Sequence, residues 1–159
     1  MTPDEASYRT VLGHFATGVT IITAMDGDTP TGLSANSFSS VSLDPPLVLF
    51  CAAKASSTWP KIQSAGVFTV NILNEHQEDV CRVFATKGAD RFSRIGYRPA
   101  SGTGSPILHD SLAYIDCRIE AEHDAGDHVI VVGRVLELGV LSDHGPLLFY
   151  RGGYGRFEA

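Results

Sequence analysis

"LAYIDCRIEAEHDAGDHVIVVGRVLELGVL", residues 112–141, carries the pattern that decides the fold of this 159-residue chain. In its first half Tyr114, Asp116, Arg118, Glu120 and Glu122 alternate with Ile115, Cys117, Ile119 and Ala121, the two-residue period of a half-exposed strand. The second half is rich in β-branched residues, and "DAGD" (124–127) between the halves has turn chemistry. The two therefore read as one long antiparallel hairpin.

Four more runs of the same character lie outside it: "VTIITAM" (19–25), "PLVLFCA" (46–52), "VFTVNIL" (67–73) and "PLLFY" (146–150). They bring the predicted strands to six. Tyr8, Val11, Leu12 and Phe15 follow helical spacing behind Asp4 and Glu5, so a short amphipathic helix opens the chain. Two further helices are expected in "SSTWPKIQSAG" (56–66), with Pro60 in the first turn and Gly66 at the end, and in "NEHQEDVCRVFATKG" (74–88). A turn is expected near "DRFSRIG" (90–96), and "RPASGTGSP" (98–106) reads as a surface loop. Six mostly antiparallel strands with few long crossovers predict a mainly β protein, a barrel with peripheral helices rather than a doubly wound sheet.

Bulk properties exclude several classes. The chain is long enough for one full core and short for two. A formal charge of -6 with only 12 Lys and Arg argues against nucleic acid as the partner. The N-terminal "MTPDEASYRTVLGHF" has no long apolar run, so neither a secretory signal nor a membrane span is expected, and a cytoplasmic location is. Cys51, Cys81 and Cys117 are odd in number and widely spaced, which predicts reduced, mostly buried thiols. GxGxxG, GxxxxGK[ST] and GxSxG are absent. His123 and His128 in "HDAGDH" match no metal-ligand motif, so no metal site is expected and the segment reads as a polar hairpin tip.

Two hydroxyl-rich stretches remain: "TGLSANSFSSVSLDPP" (31–46) and "AKASSTWPKI" (53–62). Taken alone, each has a simple structural reading, as a turn and as a helix cap. Together they offer what a flavin mononucleotide needs. Small side chains let backbone approach a flat ring, hydroxyls bond its heteroatoms, and Lys54 or Lys61 could meet a phosphate.

In this order "FATGVTIITA", "GLSANSFSSVSLDPPLVLFC", "SSTWPKI", "GVFTVNIL", "GDHVIVVGRV" and "PLLFYRGGY" resemble the flavin reductase family with the FMN-binding split-barrel fold. These are the reductase partners of two-component flavin monooxygenases. The likeness runs from about residue 8 to residue 154 and implies one flavin reductase-like domain over residues 1–159. It further implies an antiparallel six-stranded split β-barrel and a homodimer with flavin near the subunit interface.

By the same resemblance Ser34, Ala35, Asn36, Ser37 and Ser40 line the isoalloxazine and ribityl chain, and Cys51, Ala52, Ser56, Ser57 and Thr58 reach toward the ribityl and phosphate. His128 of "GDH" faces the nicotinamide as the one catalytic candidate, oriented by Asp127, with Tyr150 or Tyr154 as a neighbour; Arg91 and Phe92 lie near the flavin. Hydride transfer between stacked rings needs no protein nucleophile, which accords with the lack of an acid–base pair.

The expected activity is hydride transfer from NADH or NADPH to FMN, with FAD as the alternative, supplying a partner monooxygenase. A non-catalytic flavin-binding or redox-sensing protein on the same barrel is the alternative reading. An oxidase of the pyridoxamine-phosphate oxidase type would call for a basic substrate cluster, which the chain lacks.

Overall fold

A computed structural model describes residues 2–87 and 90–159. Three helices are present, α1 (Glu5–Leu12), α2 (Trp59–Ala65) and α3 (Glu78–Ala85). The strands are β1 (Thr17–Gly18), β2 (Thr20–Asp26), β3 (Thr29–Ala35), β4 (Ser39–Leu43), β5 (Pro46–Ala53), β6 (Val67–Ile72), β7 (Tyr97–Pro99), β8 (Pro106–Leu108), β9 (Ala113–Ala125), β10 (His128–Val140), β11 (Leu147–Tyr150) and β12 (Gly153–Arg156).

The predicted hairpin is the centre of the fold. β9 and β10 pair antiparallel from His128 opposite Ala125 to Val140 opposite Ala113. Gly126, at φ 67°, opens the two-residue turn between them, a geometry that matches the twist of the strands. The hairpin sits inside an antiparallel sheet of order β3-β2-β6-β9-β10-β5-β4. Five of the six predicted strands lie in it and the sixth, 146–150, is β11 of another sheet; the two strands added, β3 and β4, fall largely in the hydroxyl-rich stretch. A three-stranded sheet, β1-β11-β12, and the pair β7-β8 complete the chain.

Two apolar clusters flank this sheet. Phe50 packs edge-on to both Trp59 and Phe68 in a core drawn from β2, β3, β5, β6, β9, β10 and α2. Ile21, Leu73, Cys81, Phe84 and Leu147 form the second cluster, under α3. β2 feeds both, Ile22 and Ala24 to the first and Ile21 to the second. Burial on both faces explains why its sequence is a continuous run instead of an alternating one.

α2 begins at a cap formed by Ser56, whose Oγ accepts from the backbone N–H of Thr58 and of Trp59, each at 3.1 Å. It ends at Gly66 in the left-handed region, φ 73°, as a glycine C-cap requires. α3 is shorter than its predicted span, and Gly88 at the end of that span lies outside the described residues.

α1 forms as expected behind Asp4, which accepts from Ser7 N–H at 2.7 Å, and none of its residues is buried among the described residues. Two expectations are corrected. The segment 98–106 is a surface loop only in part: Arg98, Pro99, Ser101 and Gly102 are exposed, while Ala100, Ser105 and Pro106 are buried. Asp116 does not face solvent: it is fully buried, because the Thr103 and Thr69 hydroxyls fold over it, donating at 2.6 and 2.8 Å. Burial outweighs those bonds and raises its carboxyl above the ordinary aspartate range.

The three thiols are free, with Cys81 and Cys117 buried and Cys51 half-buried. Burial pushes Cys117 up to about 12.

Candidate functional site

Where β3 ends, its last residues open onto a cleft of about 180 Å³ lined by Val19, Ser34, Ala35, Asn36, Cys81, Phe149 and Tyr154. Thr20 fixes the strand end from the neighbouring strand, its buried hydroxyl donating to Ala35 O at 2.6 Å. Phe149 and Tyr154 face each other across β11 and β12 with ring centroids 5.3 Å apart. Tyr154 Oη and Cys81 Sγ are hydrogen-bonded at 3.3 Å, and the Arg82 guanidinium lies 5.0 Å above the tyrosine ring. The bond to Cys81, then burial, pushes the Tyr154 phenol up to about 12; burial also raises the Cys81 thiol. Both groups stay neutral near pH 7. The first cleft is thus walled by uncharged aromatic, thiol and small polar groups.

Ser34 also lines a second cleft of about 280 Å³, with Ser56, Ser57, Thr58, Lys87 and Arg91. Arg91 is its organising residue. One guanidinium nitrogen donates to Gly32 O at 2.6 Å and to Thr58 Oγ1 at 3.1 Å, so the side chain ties β3 to the start of α2. Arg91 has no carboxylate partner among the described residues. Ser57, Thr58 and Arg91 continue into a third cleft of about 490 Å³, where Gly32, Lys61, Asp90 and Phe92 join them. Phe92 is held edge-on between Phe84 at 5.2 Å and Tyr97 at 5.6 Å. Shared residues therefore join the three clefts into one groove. It is aromatic at one end and cationic, lined by hydroxyls, in the middle.

Nine of the residues expected from sequence meet in this groove: Ser34, Ala35, Asn36, Ser56, Ser57, Thr58, Arg91, Phe92 and Tyr154. Six lie elsewhere. Ser37 is spent on the backbone of Cys51, its hydroxyl accepting from Cys51 N–H at 3.0 Å and lying 3.3 Å from Cys51 O. Ala52 is part of the core. Ser40 is exposed on β4, opposite Val48. Tyr150 is exposed at the β11–β12 turn. His128 stands half-exposed at the start of β10, opposite Ala53, with Nδ1 2.7 Å from Asp127 Oδ1. That bond holds the Asp127 carboxyl below its usual range.

Val19, Cys81, Phe149 and Lys87 line the groove without having been singled out as ligand contacts in sequence, whereas Lys61, named there as a possible phosphate counter-charge, does line it. Cys81 had been read only as a reduced, mostly buried thiol, and it does pack in the second core cluster.

The chain matches the model of the flavin reductase like domain over residues 12–158. It is 48% identical over 155 residues to the reductase subunit HsaB of a flavin-dependent monooxygenase from Rhodococcus jostii (strain RHA1), covering 98% of this chain and 79% of that protein. Nitrilotriacetate monooxygenase component B from Mycobacterium thermoresistibile superposes with a TM-score of 0.94 at 47% identity, over 98% of this chain and 87% of that one. The NADH:FAD oxidoreductase SgcE6 of Streptomyces globisporus C-1027, solved with NAD and FAD fragments, superposes with a TM-score of 0.92 at 35% identity, over 98% and 93% of the two chains. A groove of this composition, in a chain matched along almost its entire length, places the protein in the flavin reductase like domain family.

Proposed function

We propose that the protein is an oxidoreductase that passes a hydride from NADH or NADPH to a flavin held in this groove and supplies the reduced flavin to a separate flavin-dependent monooxygenase. The observation that carries this reading is the order of chemistry along the groove. Uncharged aromatic walls at Phe149 and Tyr154 give way through Ser34 to hydroxyls and the Arg91 guanidinium, which has no carboxylate partner among the described residues. A flavin has the same order, a flat ring system, then a polyol, then a phosphate. The similarity to a monooxygenase reductase subunit and to an NADH:FAD oxidoreductase supports the same activity and partner.

Bound in the first cleft, the flavin supplies the hydride acceptor, as redox cofactors do. The chain's own groups position and shield. Asn36, exposed at the mouth, is free to bond the polar edge of the ring. Ser34 and Ala35 present small side chains that let backbone approach it closely. Tyr154, held neutral against Cys81, adds an apolar wall without charge. Arg91 and Thr58, already tied to each other and to Gly32, form a prepared cradle for the phosphate, so little side-chain entropy is lost on binding. Ser57 and Lys87 complete it. Ser56 serves that cradle through the cap it makes for α2. His128, set by Asp127, is assigned to the nicotinamide side, and Tyr150 to the rim. Cys51 and Ser37 act by holding the segment after β3 against β5.

The seven-stranded sheet is read as the curled wall of a split barrel, all of it one domain. A single core drawing on β2, β3, β5, β6, β9 and β10 supports this, because one sheet reaches a common centre only by bending around it. A second copy of the chain is assigned to the N-terminal segment, where Tyr8, Val11, Leu12 and Phe15 are exposed. A cytoplasmic setting accords with three free thiols.

The test is an anaerobic titration of purified protein with flavin and then NADH or NADPH, following the flavin band near roughly 450 nm, a property of the cofactor. Rapid bleaching at catalytic protein levels is expected. Flavin binding without bleaching would leave a binding protein, and no binding would remove the reading.

A further inference from the structure

Outside the flavin groove, a separate cleft of about 390 Å³ opens where the end of β6 meets the turn before β11. It shares no lining residue with the three clefts described above. Two chain segments meet there in antiparallel register. Asn74 bridges to Pro146, and Glu75 N–H donates to Gly145 O at 2.9 Å. The same register sets His76 opposite His144, and their rings meet at 87° with centroids 5.4 Å apart. Two imidazoles that share one tetrahedral zinc, each nitrogen roughly 2.0 Å from the ion, hold their ring centres about 5 Å apart. The Glu75 carboxylate lies beside the pair, its Oε1 3.5 Å from His76 Nε2, a gap longer than a hydrogen bond and close to the spacing of two ligand atoms on one metal. Gly145 leaves it room, since a Cβ at that position would collide with Glu75 Oε2.

We infer that His76 and His144 chelate a divalent transition metal of the zinc type, with Glu75 closing on the ion and water in the remaining position. Among the described residues no three such groups already converge on one point, so the site is an open imidazole pair that completes itself around the ion. Imidazole nitrogen and carboxylate oxygen are ligands such an ion takes, whereas magnesium keeps to oxygen. Charge selects a cation over an anion. With the imidazoles in the neutral form that ligates, Asp79 and Asp110 outnumber Arg94 in the lining, and Glu75 adds to them. Both histidines are exposed, so an ion can reach them and either ring can be removed without disturbing the core. A bound ion clips the turn at 142–146 onto the end of β6, and β11, which follows that turn, carries Phe149 into the first cleft. The inference stands apart from the flavin site, and its test needs no flavin.

The experiment titrates the full chain, freed of any affinity tag and of trace metal, with zinc chloride by calorimetry, and repeats the titration for His76→Ala, His144→Ala and His109→Ala, with magnesium chloride as the hard-ion comparison. The unaltered chain is expected to bind one zinc ion in the micromolar range and to give no saturable heat with magnesium. His76→Ala and His144→Ala are each expected to weaken zinc by at least about tenfold, the scale on which even a ligand's outer partner counts. Each should also abolish the rise in melting temperature that zinc gives the unaltered chain. His109 lines the same cleft outside the pair, and His109→Ala should leave the affinity unchanged. Melting curves in chelator report the fold of every variant, and glutamine replaces alanine at any position where alanine lowers it. Absence of saturable zinc binding in the unaltered chain overturns the inference, as does equal binding of magnesium. Zinc affinity that survives the loss of either His76 or His144, or that falls equally in His109→Ala, overturns it too.

Discussion

Arg91 Nη1 lies 2.6 Å from the carbonyl oxygen of Gly32, so a cation on the loop after α3 is locked to the backbone of β3. The bond is open to a glycine strand in a way it would not be to most residues. A Cβ at position 32 would stand 2.8 Å from Phe84 Cε1 and 3.1 Å from Ile22 O, forcing apart the surface that Arg91 clamps. Arg91→Ala is therefore expected to raise the flavin dissociation constant about tenfold or more, the scale of one charge-assisted hydrogen bond. Arg91→Lys should recover only part, because an ammonium cannot hold two anchors and still face a phosphate. Flavin fluorescence titration checks this. Unchanged affinity in Arg91→Ala would place the phosphate elsewhere.

Asn36 gives a sharper test of where the ring lies. It is exposed, at the mouth of the first cleft, so a large side chain there fills the cleft without touching the core. Asn36→Trp is expected to weaken flavin binding by at least about tenfold, while the unfolding free energy stays within roughly 0.5 kcal/mol, as is usual for surface sites. Thermal melts beside binding titrations separate the two effects. Retained affinity would show that the ring binds outside this cleft.

How far this was readable in advance depended on whether side-chain periodicity reported burial. The β9–β10 hairpin was legible because long alternation and a Gly-containing turn survive in any context. β3 and β4 were not, since Gly32, Pro30 and a series of serines carry weak strand propensity; neighbouring strands impose that geometry. Asp116 was misplaced for a similar reason. The alternation put it on the polar face, but the segment 100–105 folds over that face near the start of β9 and buries it. In the site, Ser34, Ala35 and Asn36 were found because small polar residues cluster in sequence. Cys81 and Phe149 were hidden because they reach the cleft from distant elements, and their types are what any core helix or strand would use. Ser37 shows the converse, a hydroxyl in the right stretch whose bonds go to backbone.

The pairing of Tyr154 with Cys81 sets a pH window at the alkaline end. The phenol is pushed up to about 12 in the folded state, against about 10 for a free tyrosine. The folded state therefore favours the neutral phenol. This contribution is complete below about 10 and is lost as the pH rises through about 12. In a spectroscopic pH titration Tyr154→Phe is expected to remove the last phenol to ionise before unfolding, and Cys81→Ala to shift that ionisation toward the ordinary value. An unaltered late phase in Tyr154→Phe would show that another tyrosine is responsible.

Asp116 sets the acid side of the stability profile. Its carboxyl accepts from Thr69 and Thr103 through Oδ1, while Oδ2 is buried with no partner among the described residues. Desolvation raises its folded-state pKa, so the folded protein holds the proton more tightly than the unfolded chain does. Stability from this group is present at low pH and declines as the pH rises upward from the ordinary aspartate range. Asp116→Asn removes the titration and keeps a carbonyl for the two threonines. The difference in urea unfolding free energy between Asp116→Asn and the unaltered protein should move in the variant's favour between pH 4 and pH 7. About 1 kcal/mol is expected, on the scale of one buried acceptor left unsatisfied. The comparison cancels every other titrating group. A difference independent of pH would mean that Asp116 carries the same charge in both states across this range, and that Thr69 and Thr103 fully offset its burial.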